Sequence, residues 1–376
     1  MTTVMTIVGT RPEIIRLAAT IKRLDRTVNH VLVHTGQNYD YELNEIFFEE
    51  LGLRSPDHFL GVNTGSLGSV LGGVLEGTER ILEQVKPDAL LVLGDTNSCI
   101  AALMAARKGI PVYHMEAGNR SYDHNVPEET NRRMVDHVSD YNLAYTEHAR
   151  RNLLNEGKHP RQVIVTGSPM REVLADQRSA INASDVLERL ELTEKEYFLV
   201  SAHREENVDS PARLGQLLDS LEALRDEYGL PILVSTHPRT RKRLEALGRE
   251  VDGVTWHKPL GFNDYNKLQL SAKCVLSDSG TIAEESSILG FPAVTLRDSI
   301  ERPEALDTGA ILMTGLDPRN VLEAVQVATS RSAVDVPADY RIENTSERAV
   351  NFILSTYRRY GQWTGRRVPN ARAEEQ

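Results

Sequence analysis

The chain has 376 residues, of which 54 are acidic and 43 are basic, so its formal charge is −11. This negative balance argues against a broad nucleic-acid-binding surface, although a local basic pocket for phosphate is compatible with it. Two cysteines are too few for a disulfide framework or a zinc cluster, and we expect Cys99 and Cys274 to be buried small apolar residues.

Short apolar runs alternate with segments of helical period, a pattern that predicts parallel strands buried on both faces. The predicted strands are Val4–Val8, His30–His34, Ala89–Leu93, Val112–Met115, Asn142–Tyr145 and Val163–Val165, then Tyr197–Ser201, Ile232–Ser235, Val254–His257, Val275–Ser277 and Ala293–Leu296. Pro12 suits the first turn of the helix after the first strand. The pattern occurs twice, which predicts two doubly wound α/β domains, a boundary near residues 167–169 and a ligand-binding cleft between the domains.

The ends of the chain and its short motifs exclude several classes. The N-terminus lacks a signal peptide, and no run approaches the roughly 18 apolar residues of a membrane span, so we expect a cytoplasmic protein without a membrane partner. Metal-ligand spacings, a P-loop and a dinucleotide fingerprint are absent, so no metal or cofactor is expected. Aromatic residues are too dispersed for nucleic-acid stacking. The polar tail from Thr364 to Gln376 is expected to be disordered.

The first motif, GTRPE at residues 9–13, lies between a predicted strand and a helix. A glycine turn there would let a phosphate approach backbone N–H groups, and Arg11 would add a bidentate contact. Taken alone, the motif is more typical of a plain turn with a solvated arginine.

Three carboxylates follow predicted strands or begin a helix. Asp95 and Glu116 come directly after strands, while Glu128 begins a helix and shares a face with Arg132 at i,i+4 spacing. Separately, Asp95 could cap a helix, and Glu128 with Arg132 could be a surface ion pair. Together the three would converge on one cleft, where neighbouring carboxylates can divide acid and base roles.

The second half of the chain carries an anion-binding pattern. His203 and Arg204 follow a strand and could bind a diphosphate. Residues 276–285 (LSDSGTIAEE) predict a strand, a Ser-Gly turn and a helix N-terminus that attracts anions. Thr281 and Glu284 also fit a capping box, so part of this pattern is structural.

These motifs, in this order, resemble the non-hydrolysing UDP-N-acetylglucosamine 2-epimerase family. The matching segments are GTRPE at 9–13, GDT at 94–96, EAG at 116–118, PEE at 127–129 with NR at 131–132, HRE at 203–205, SDSG at 277–280 with EE at 284–285, and RPE at 302–304. Each segment is short, but the ordered set spans residues 4–305 and is specific.

The resemblance implies a glycosyltransferase-B arrangement of two Rossmann-like domains and a homodimer. Residues 1–168 would form the acid/base domain and residues 169–346 the UDP-binding domain. Residues 347–376 would hold a helix that crosses back to the first domain, followed by the tail. The implied reaction interconverts UDP-GlcNAc and UDP-ManNAc by anti elimination of UDP, giving 2-acetamidoglucal, and syn readdition.

The resemblance also assigns roles to particular residues. The catalytic candidates are Asp95, Glu116, Glu128 and His203. The candidates for binding the UDP-sugar are Arg11, Arg16, Arg132, Arg204, Phe262, Ser279, Gly280, Thr281 and Glu285. Phe262 would lie near the uracil, or else be a core aromatic residue.

The sequence departs from the family pattern at three places. Arg16 stands where better-known members carry lysine, and Thr281 stands where the family often has a second glycine. Residues 63–66 (NTGS) replace a loop that helps to bind a second, activating UDP-GlcNAc, although Gln37 is retained. Allosteric activation of the usual form is therefore not expected.

Other functions remain open. Residues 118–127 resemble a subgroup that includes epimerases of modified sugars, such as the enzymes that form UDP-N-acetyl-L-fucosamine. A hydrolysing variant that releases UDP and ManNAc would share the first half-reaction. A glycosyltransferase or a non-catalytic nucleotide-sugar sensor would not need Asp95, Glu116 and Glu128 together.

Overall fold

The computed structural model describes residues 1–36, 41–123, 126–236, 238–249, 251–331 and 335–365, without the side chains of 41–45, 238 and 239. Gln37 and the tail beyond residue 365 lie outside the described residues. The chain forms two compact units, one of Met1–Val173 with Ile342–Gln376 and one of Leu174–Arg341. Each unit contains a parallel sheet with alternating helices, so the predicted α/β class is confirmed.

The first unit is built on a seven-stranded parallel sheet. Its strands are β1 Thr3–Val8, β2 Asn29–His34, β3 His58–Phe59, β4 Ala89–Leu93, β5 Val112–Met115, β6 Tyr141–Ala144 and β7 Val163–Val165, in the order β3-β2-β1-β4-β5-β6-β7. Its helices up to residue 176 are α1 Arg11–Thr27, α2 Tyr41–Glu50, α3 Leu67–Val85, α4 Ala101–Arg107, α5 Pro127–Val138, α6 Glu147–Asn155 and α7 Met170–Asp176.

The second unit repeats this design with six parallel strands. They are β8 Phe198–Ser201, β9 Ile232–Ser235, β10 Val254–His257, β11 Cys274–Ser277, β12 Ala293–Thr295 and β13 Leu312–Met313, in the order β10-β9-β8-β11-β12-β13. Its helices are α8 Arg178–Ala183, α9 Val186–Arg189, α10 Glu205–Val208, α11 Pro211–Tyr228, α12 Pro238–Leu247, α13 Phe262–Ser271, α14 Ile282–Leu289, α15 Glu304–Asp307 and α16 Pro318–Ser330.

The central strands explain why the apolar runs were readable in the sequence. Every residue of β4, β5 and β6 is buried, as parallel strands covered by helices on both faces require. All eleven predicted strands are present, and the observed ends of each strand differ from the predicted ends by at most one residue. The short edge strands β3 and β13, with two residues each, were not predicted.

The chain returns to the first unit through α17 (Thr345–Thr356) and α18 (Tyr360–Thr364). Helix α17 packs against α1, and Phe352 lies edge-on to the stacked rings of Tyr113 and Tyr141. The hydroxyl groups of Tyr113 and Thr356 are 2.7 Å apart. The last described helices are therefore part of the first unit's core.

Both cysteines are buried, as predicted. In the part of the chain that the structure describes, no helix is long and apolar enough to cross a membrane.

Gly118, in the loop after β5, occupies a position that excludes any larger side chain. Its φ is +85°, in the region that favours glycine. A Cβ atom at this position would lie 2.3 Å from the carbonyl oxygen of Ala149 and 2.8 Å from its carbonyl carbon. Because both neighbours are backbone atoms, relieving this contact would require a shift of the main chain, which costs free energy.

Glu13 joins the turn before α1 to the loop after β4. Its Oε2 accepts hydrogen bonds from Gly9 N at 3.0 Å and Thr10 Oγ1 at 2.9 Å, and its Oε1 accepts one from Ser98 Oγ. The side chain is fully buried, and burial raises the pKa of the Glu13 carboxyl from 4.5 to about 6. The carboxylate is therefore less stable in the folded chain than in the unfolded chain.

We predict that Gly118→Ala lowers the free energy of unfolding by more than 2 kcal/mol, since it adds a backbone clash to a strained φ (~1–2 kcal/mol for the φ alone). The matched control is Gly109→Ala, because Gly109 also has a positive φ of +73° but open space around it. The difference between the two variants in the free energy of urea unfolding gives the contribution of the clash, because both variants share the cost of the positive φ. Equal losses would contradict the clash.

We predict that Glu13→Gln stabilises the fold by about 2 kcal/mol at pH 7.5 and has little effect at pH 4.5. The folded-state pKa lies above the unfolded one, so wild-type stability falls as the pH rises from about 4.5 to about 6. A neutral amide removes this dependence and can still bond to Gly9 and Ser98. Urea unfolding at both pH values measures the difference.

Glu129 supplies a control of opposite sign. Burial alone would raise the pKa of its carboxyl, but hydrogen bonds from Ser121 and Arg133 and the charge of Arg132 hold the pKa below its usual range. Glu129→Gln should therefore destabilise the fold more at pH 7.5 than at pH 4.5. If both variants respond to pH in the same direction, the assignment of Glu13 fails.

Candidate active site

Asp95 lies two residues beyond β4 and is held by α5. Its carboxylate forms an ion pair with Arg132, and its backbone oxygen accepts a hydrogen bond from Asn131 Nδ2 at 3.0 Å. Thr96, not Asp95, occupies the N-cap position of the 3₁₀ turn that follows, so the alternative that Asp95 caps a helix is wrong. The 37-residue separation of Asp95 and Arg132 is bridged because β4 and β5 are neighbours and α5 follows β5.

Arg132 is itself almost fully buried and has a second carboxylate partner. Its Nη1 donates to Glu129 Oε2 at 2.7 Å, and Arg133 donates to Glu129 Oε1 at 3.0 Å. Ser121 adds backbone and hydroxyl donors to the same carboxylate at 3.1 and 3.2 Å. The sequence indicated Glu128 as the helical neighbour of Arg132, but these contacts are made by Glu129.

Glu116 lies directly after β5 and pairs with Arg16 of α1. The carboxylate is 3% exposed, and it sits beside Gly94, where a Cβ atom would lie 3.9 Å from Glu116 Oε2. Glu116 has a φ of +66°, which is rare for a residue other than glycine and is often found where function fixes a side chain. Asp95 and Glu116 thus stand at neighbouring strand ends, and each is paired with an arginine of which little is exposed.

Two other predicted residues, Glu128 and Arg11, lie in the first turns of α5 and α1. Glu128 is exposed at the second position of α5. Arg11 begins α1, and its guanidinium lies over the ring of Phe47, 5.4 Å from the centroid. Both remain candidates by their position at helix N-termini.

Sequence reasoning did not single out the pair His114 and Asp136, which lies beneath these loops. Both side chains are fully buried, and Asp136 Oδ1 accepts a hydrogen bond from His114 Nδ1 at 2.9 Å. Burial alone would raise the pKa of the Asp136 carboxyl, but the hydrogen bond from His114 and the charge of Arg120 hold the pKa below its usual range. His114 is the only histidine or charged residue type in the buried strand β5, and this exception was the one feature of the sequence that could have indicated the pair.

In the second unit, Asp278 organises the loop that carries His203 and Arg204. Its carboxylate accepts hydrogen bonds from the backbone N of His203 at 3.0 Å, the backbone N of Arg204 at 3.0 Å and Asn207 Nδ2 at 3.1 Å. His203 Nδ1 lies 3.3 Å from Asp278 Oδ1, while the ring is 46% exposed. The imidazole is therefore oriented by a buried carboxylate and remains accessible.

The turn between β11 and α14 brings together the predicted phosphate-binding residues. The hydroxyl groups of Ser279 and Thr281 are 2.9 Å apart, and a Cβ atom on Gly280 would lie 3.6 Å from Arg204 Nη2. Arg302 Nη1 donates to Gly280 O at 2.7 Å and to Glu284 Oε2 at 2.6 Å. Arginine side chains thus flank both sides of the turn.

The capping box expected of Thr281 and Glu284 is wrong. Thr281 is the N-cap of α14, but its side chain accepts no hydrogen bond from the helix. Its hydroxyl is turned to Ser279, and Glu284 is drawn to the buried Arg302. The two side chains therefore bond to Ser279 and Arg302, and neither satisfies a backbone N–H group at the start of α14.

The remaining predicted residues of this unit are Glu285 and Phe262. Glu285 lies one turn into α14, where its Oε2 accepts a hydrogen bond from Gln269 Nε2 at 2.7 Å. Phe262 is buried at the start of α13. Among the described residues, no group of three or more His, Cys, Asp or Glu side chains could hold a metal ion.

A family model described as UDP-N-acetylglucosamine 2-epimerase matches residues 22–354. A structure titled UDP-N-acetylglucosamine 2-epimerase from Rickettsia bellii is 46% identical, with a TM-score of 0.90 over 97% of this chain and 100% of that one. The Methanocaldococcus jannaschii UDP-GlcNAc 2-epimerase, solved with UDP-GlcNAc and UDP, is 34% identical, with a TM-score of 0.88 over 94% and 100% of the two chains.

A relative with a different substrate name is also similar. The Pseudomonas aeruginosa UDP-2,3-diacetamido-2,3-dideoxy-D-glucuronate 2-epimerase is 32% identical over 93% of this chain and 99% of its own. Reaction class is thus shared among these relatives while the sugar varies. By the extent of the family match and of these similarities, the chain belongs to the UDP-N-acetylglucosamine 2-epimerase family of isomerases.

Proposed function

We propose that the protein interconverts UDP-GlcNAc and UDP-ManNAc by inverting carbon 2 of the sugar. The observation that carries this proposal is the pair of arginine-bound carboxylates, Asp95 and Glu116, at neighbouring strand ends. Because the chain belongs to an epimerase family, these two carboxylates are candidates for proton transfer at carbon 2. A homodimer and a cytoplasmic location are parts of the same proposal.

The chemical problem explains why several acids are needed. The proton on carbon 2 has no adjacent carbonyl group, so its direct removal would leave an unstabilised carbanion. In an anti elimination, a base takes this proton while the bond between carbon 1 and the UDP oxygen breaks, and 2-acetamidoglucal forms. An acid then protonates carbon 2 from the opposite face while the UDP oxygen adds back to carbon 1. Two faces require two proton-transfer groups.

We assign proton transfer to Asp95, Glu116 and Glu128. Arg16 and Arg132, which pair with Glu116 and Asp95, keep these carboxylates in fixed positions and can contact the substrate's polar groups. Glu128 differs from the two paired acids because it is exposed. Different surroundings are what separates acid and base roles among carboxylates.

We assign the second unit to UDP. The turn at residues 279–281 and the adjacent Arg204 combine backbone N–H groups, hydroxyls and positive charge, which suit a diphosphate. His203, held by Asp278, would stabilise UDP as it leaves. Glu285 would accept hydrogen bonds from the ribose hydroxyls, and Phe262 would lie near the uracil.

A modified UDP-2-acetamido sugar is the second candidate substrate. The similarity to the P. aeruginosa diacetamido-sugar epimerase over nearly its whole length favours this alternative. Its proton-transfer steps would use the same acids, since the chemistry at carbons 1 and 2 is the same. Only groups around the distal sugar substituents would differ.

We predict that the protein, incubated with UDP-GlcNAc in deuterated water, forms UDP-ManNAc with deuterium at carbon 2. Proton NMR measures both the product and the exchange. Free UDP with ManNAc would indicate the hydrolysing variant instead. If no product and no exchange occur, UDP-GlcNAc is not the substrate, and modified sugars such as the 6-deoxy-L-talosamine derivative are tested next.

We predict that Asp95→Asn and Glu116→Gln each lower kcat at least about a hundredfold and change KM much less. The expected loss arises because each amide keeps the shape of the side chain but cannot transfer the proton. Steady-state kinetics of UDP-GlcNAc epimerisation supply both constants.

Glu83→Gln is the matched control, because Glu83 is a carboxylate on α3 that is 64% exposed and pairs only with a surface partner in the described ion pairs, Lys108. Its kcat should stay within about twofold of wild type. Near-normal turnover of both Asp95→Asn and Glu116→Gln would refute the assignment.

A further inference from the structure

A buried cluster of charged residues, which the proposed mechanism does not use, lies under the loops that follow β4 and β5. His114 donates from Nε2 to the carbonyl oxygen of Gly94 at 2.7 Å, and from Nδ1 to Asp136 at 2.9 Å. Arg120 Nη1 donates to Asp136 Oδ2 at 2.7 Å. The side chains of His114, Asp136 and Arg120 are all 0% exposed. We call these three residues the buried triad.

The triad is fixed at both ends. Each Asp136 carboxylate oxygen lies 3.2 Å from the backbone N of Gly118. Arg120 is held by Glu156, whose two oxygens accept from Nε at 2.8 Å and from Nη2 at 2.6 Å. The contact with Glu156 joins Arg120 to the residue that follows α6. The imidazole and the contact between Arg120 and Asp136 hold three further chain segments together, which are Gly94, residues 114–120 and α5.

Those segments are the ones that carry the proton-transfer groups. Gly94, whose carbonyl the triad binds, immediately precedes Asp95. Gly118, whose amide the triad binds, follows Glu116 by two residues. Asp136 lies on α5 one helical turn beyond Arg132, the partner of Asp95, so the triad touches the backbone within two residues of both acids.

We propose that the buried triad is a positioning device for the acids, and that Asp136 is its central positioning residue. The inference rests on the proposed function, since positioning has meaning only if Asp95 and Glu116 transfer protons. The triad sets the distance between the two strand-end loops and α5. The acids then meet carbon 2 of the sugar from fixed places.

The loop after β5 needs such a restraint because its backbone is strained at Glu116, whereas glycines such as Gly94 and Gly118 adopt positive φ values readily. Gly94, Glu116 and Gly118 all have positive φ values, of +70°, +66° and +85°. Glu116 has a side chain, so its conformation persists only where the surroundings enforce it. A displacement of about 1 Å at a reacting group can lower turnover about a hundredfold.

Stability alone gives a weaker account of the triad. Apolar residues of similar volume usually stabilise a core as well as buried ion pairs do, because removing charges from water is costly. At the other end of the same strand, Asp140 Oδ2 accepts a hydrogen bond from the backbone N of Val112 at 3.0 Å. The imidazole of His114 lies at the end that bears the acids.

The test compares Asp136→Asn with the matched control Asp140→Asn. Both replace a buried carboxylate that accepts a backbone N–H beside β5. For Asp136→Asn we expect kcat per folded molecule to fall about 10- to 100-fold while KM stays within about threefold. For Asp140→Asn we expect kcat within about twofold of wild type. Circular dichroism at the assay temperature gives the folded fraction.

A second pair of variants decides the matter if Asp136→Asn does not fold. His114→Gln can place its amide nitrogen near the position of Nε2 and keep the bond to Gly94, whereas His114→Asn mimics Nδ1 and loses that bond. We expect His114→Gln to retain at least about fivefold more turnover per folded molecule than His114→Asn.

The outcomes separate this inference from the proposed function. A wild-type protein that turns over no UDP-2-acetamido sugar overturns the proposed function, and this inference with it. An active wild type with equal kcat in folded Asp136→Asn and Asp140→Asn overturns the positioning role alone. Equal turnover of the two His114 variants overturns the role of the Gly94 contact.

Discussion

The whole molecule depends on one constraint, which is that its central strands are covered on both faces. No residue of β4, β5 or β6 reaches water, and none of them is Asp, Glu, Lys or Arg, so the acids of the site lie on helices or beyond the ends of buried strands. Asp95, Glu116, His203 and Asp278 all lie at such ends. The chemistry of the protein is thus concentrated in a few short loops by the requirements of its cores.

A second consequence of this burial is that carboxylates near the sheet carry partners. Glu116 and Asp95 pair with Arg16 and Arg132, and Glu284 in the other unit pairs with Arg302. An unpaired charge at these depths would cost several kcal/mol, so each acid brings a cation from a different element. The loops are joined to helices by these pairs, which gives flexible segments the rigidity that proton transfer needs.

Much of this could be predicted from the sequence, because buried parallel strands are continuous apolar runs. The edge strands β3 and β13 could not, since two residues carry no periodicity. The residue types and the predicted strand ends were enough to locate the acids. The arginine that pairs with each acid could not be predicted from the sequence. Local spacing favours Glu128 for Arg132, while the fold brings in Asp95 from 37 residues away.

The capping box and the buried triad show the same limit. Thr281 and Glu284 have the spacing of a cap, but a hydroxyl and an arginine from outside the helix compete successfully for them. Asp136 looks like a surface residue of an amphipathic helix until the fold places His114 and Arg120 against it. Long-range pairing of polar groups depends on tertiary structure that spacing alone does not encode.

The return of the chain through α17 has a consequence for biosynthesis. The second unit is one continuous stretch, Leu174–Arg341, whereas the first unit includes the segment that begins at Ile342. During translation, Tyr113 and Tyr141 therefore lack their packing partner Phe352, which is synthesised more than 200 residues after Tyr141. The unit whose synthesis begins first is completed last, and its apolar surface stays open to chaperones or to misassembly until the segment that begins at Ile342 has emerged from the ribosome.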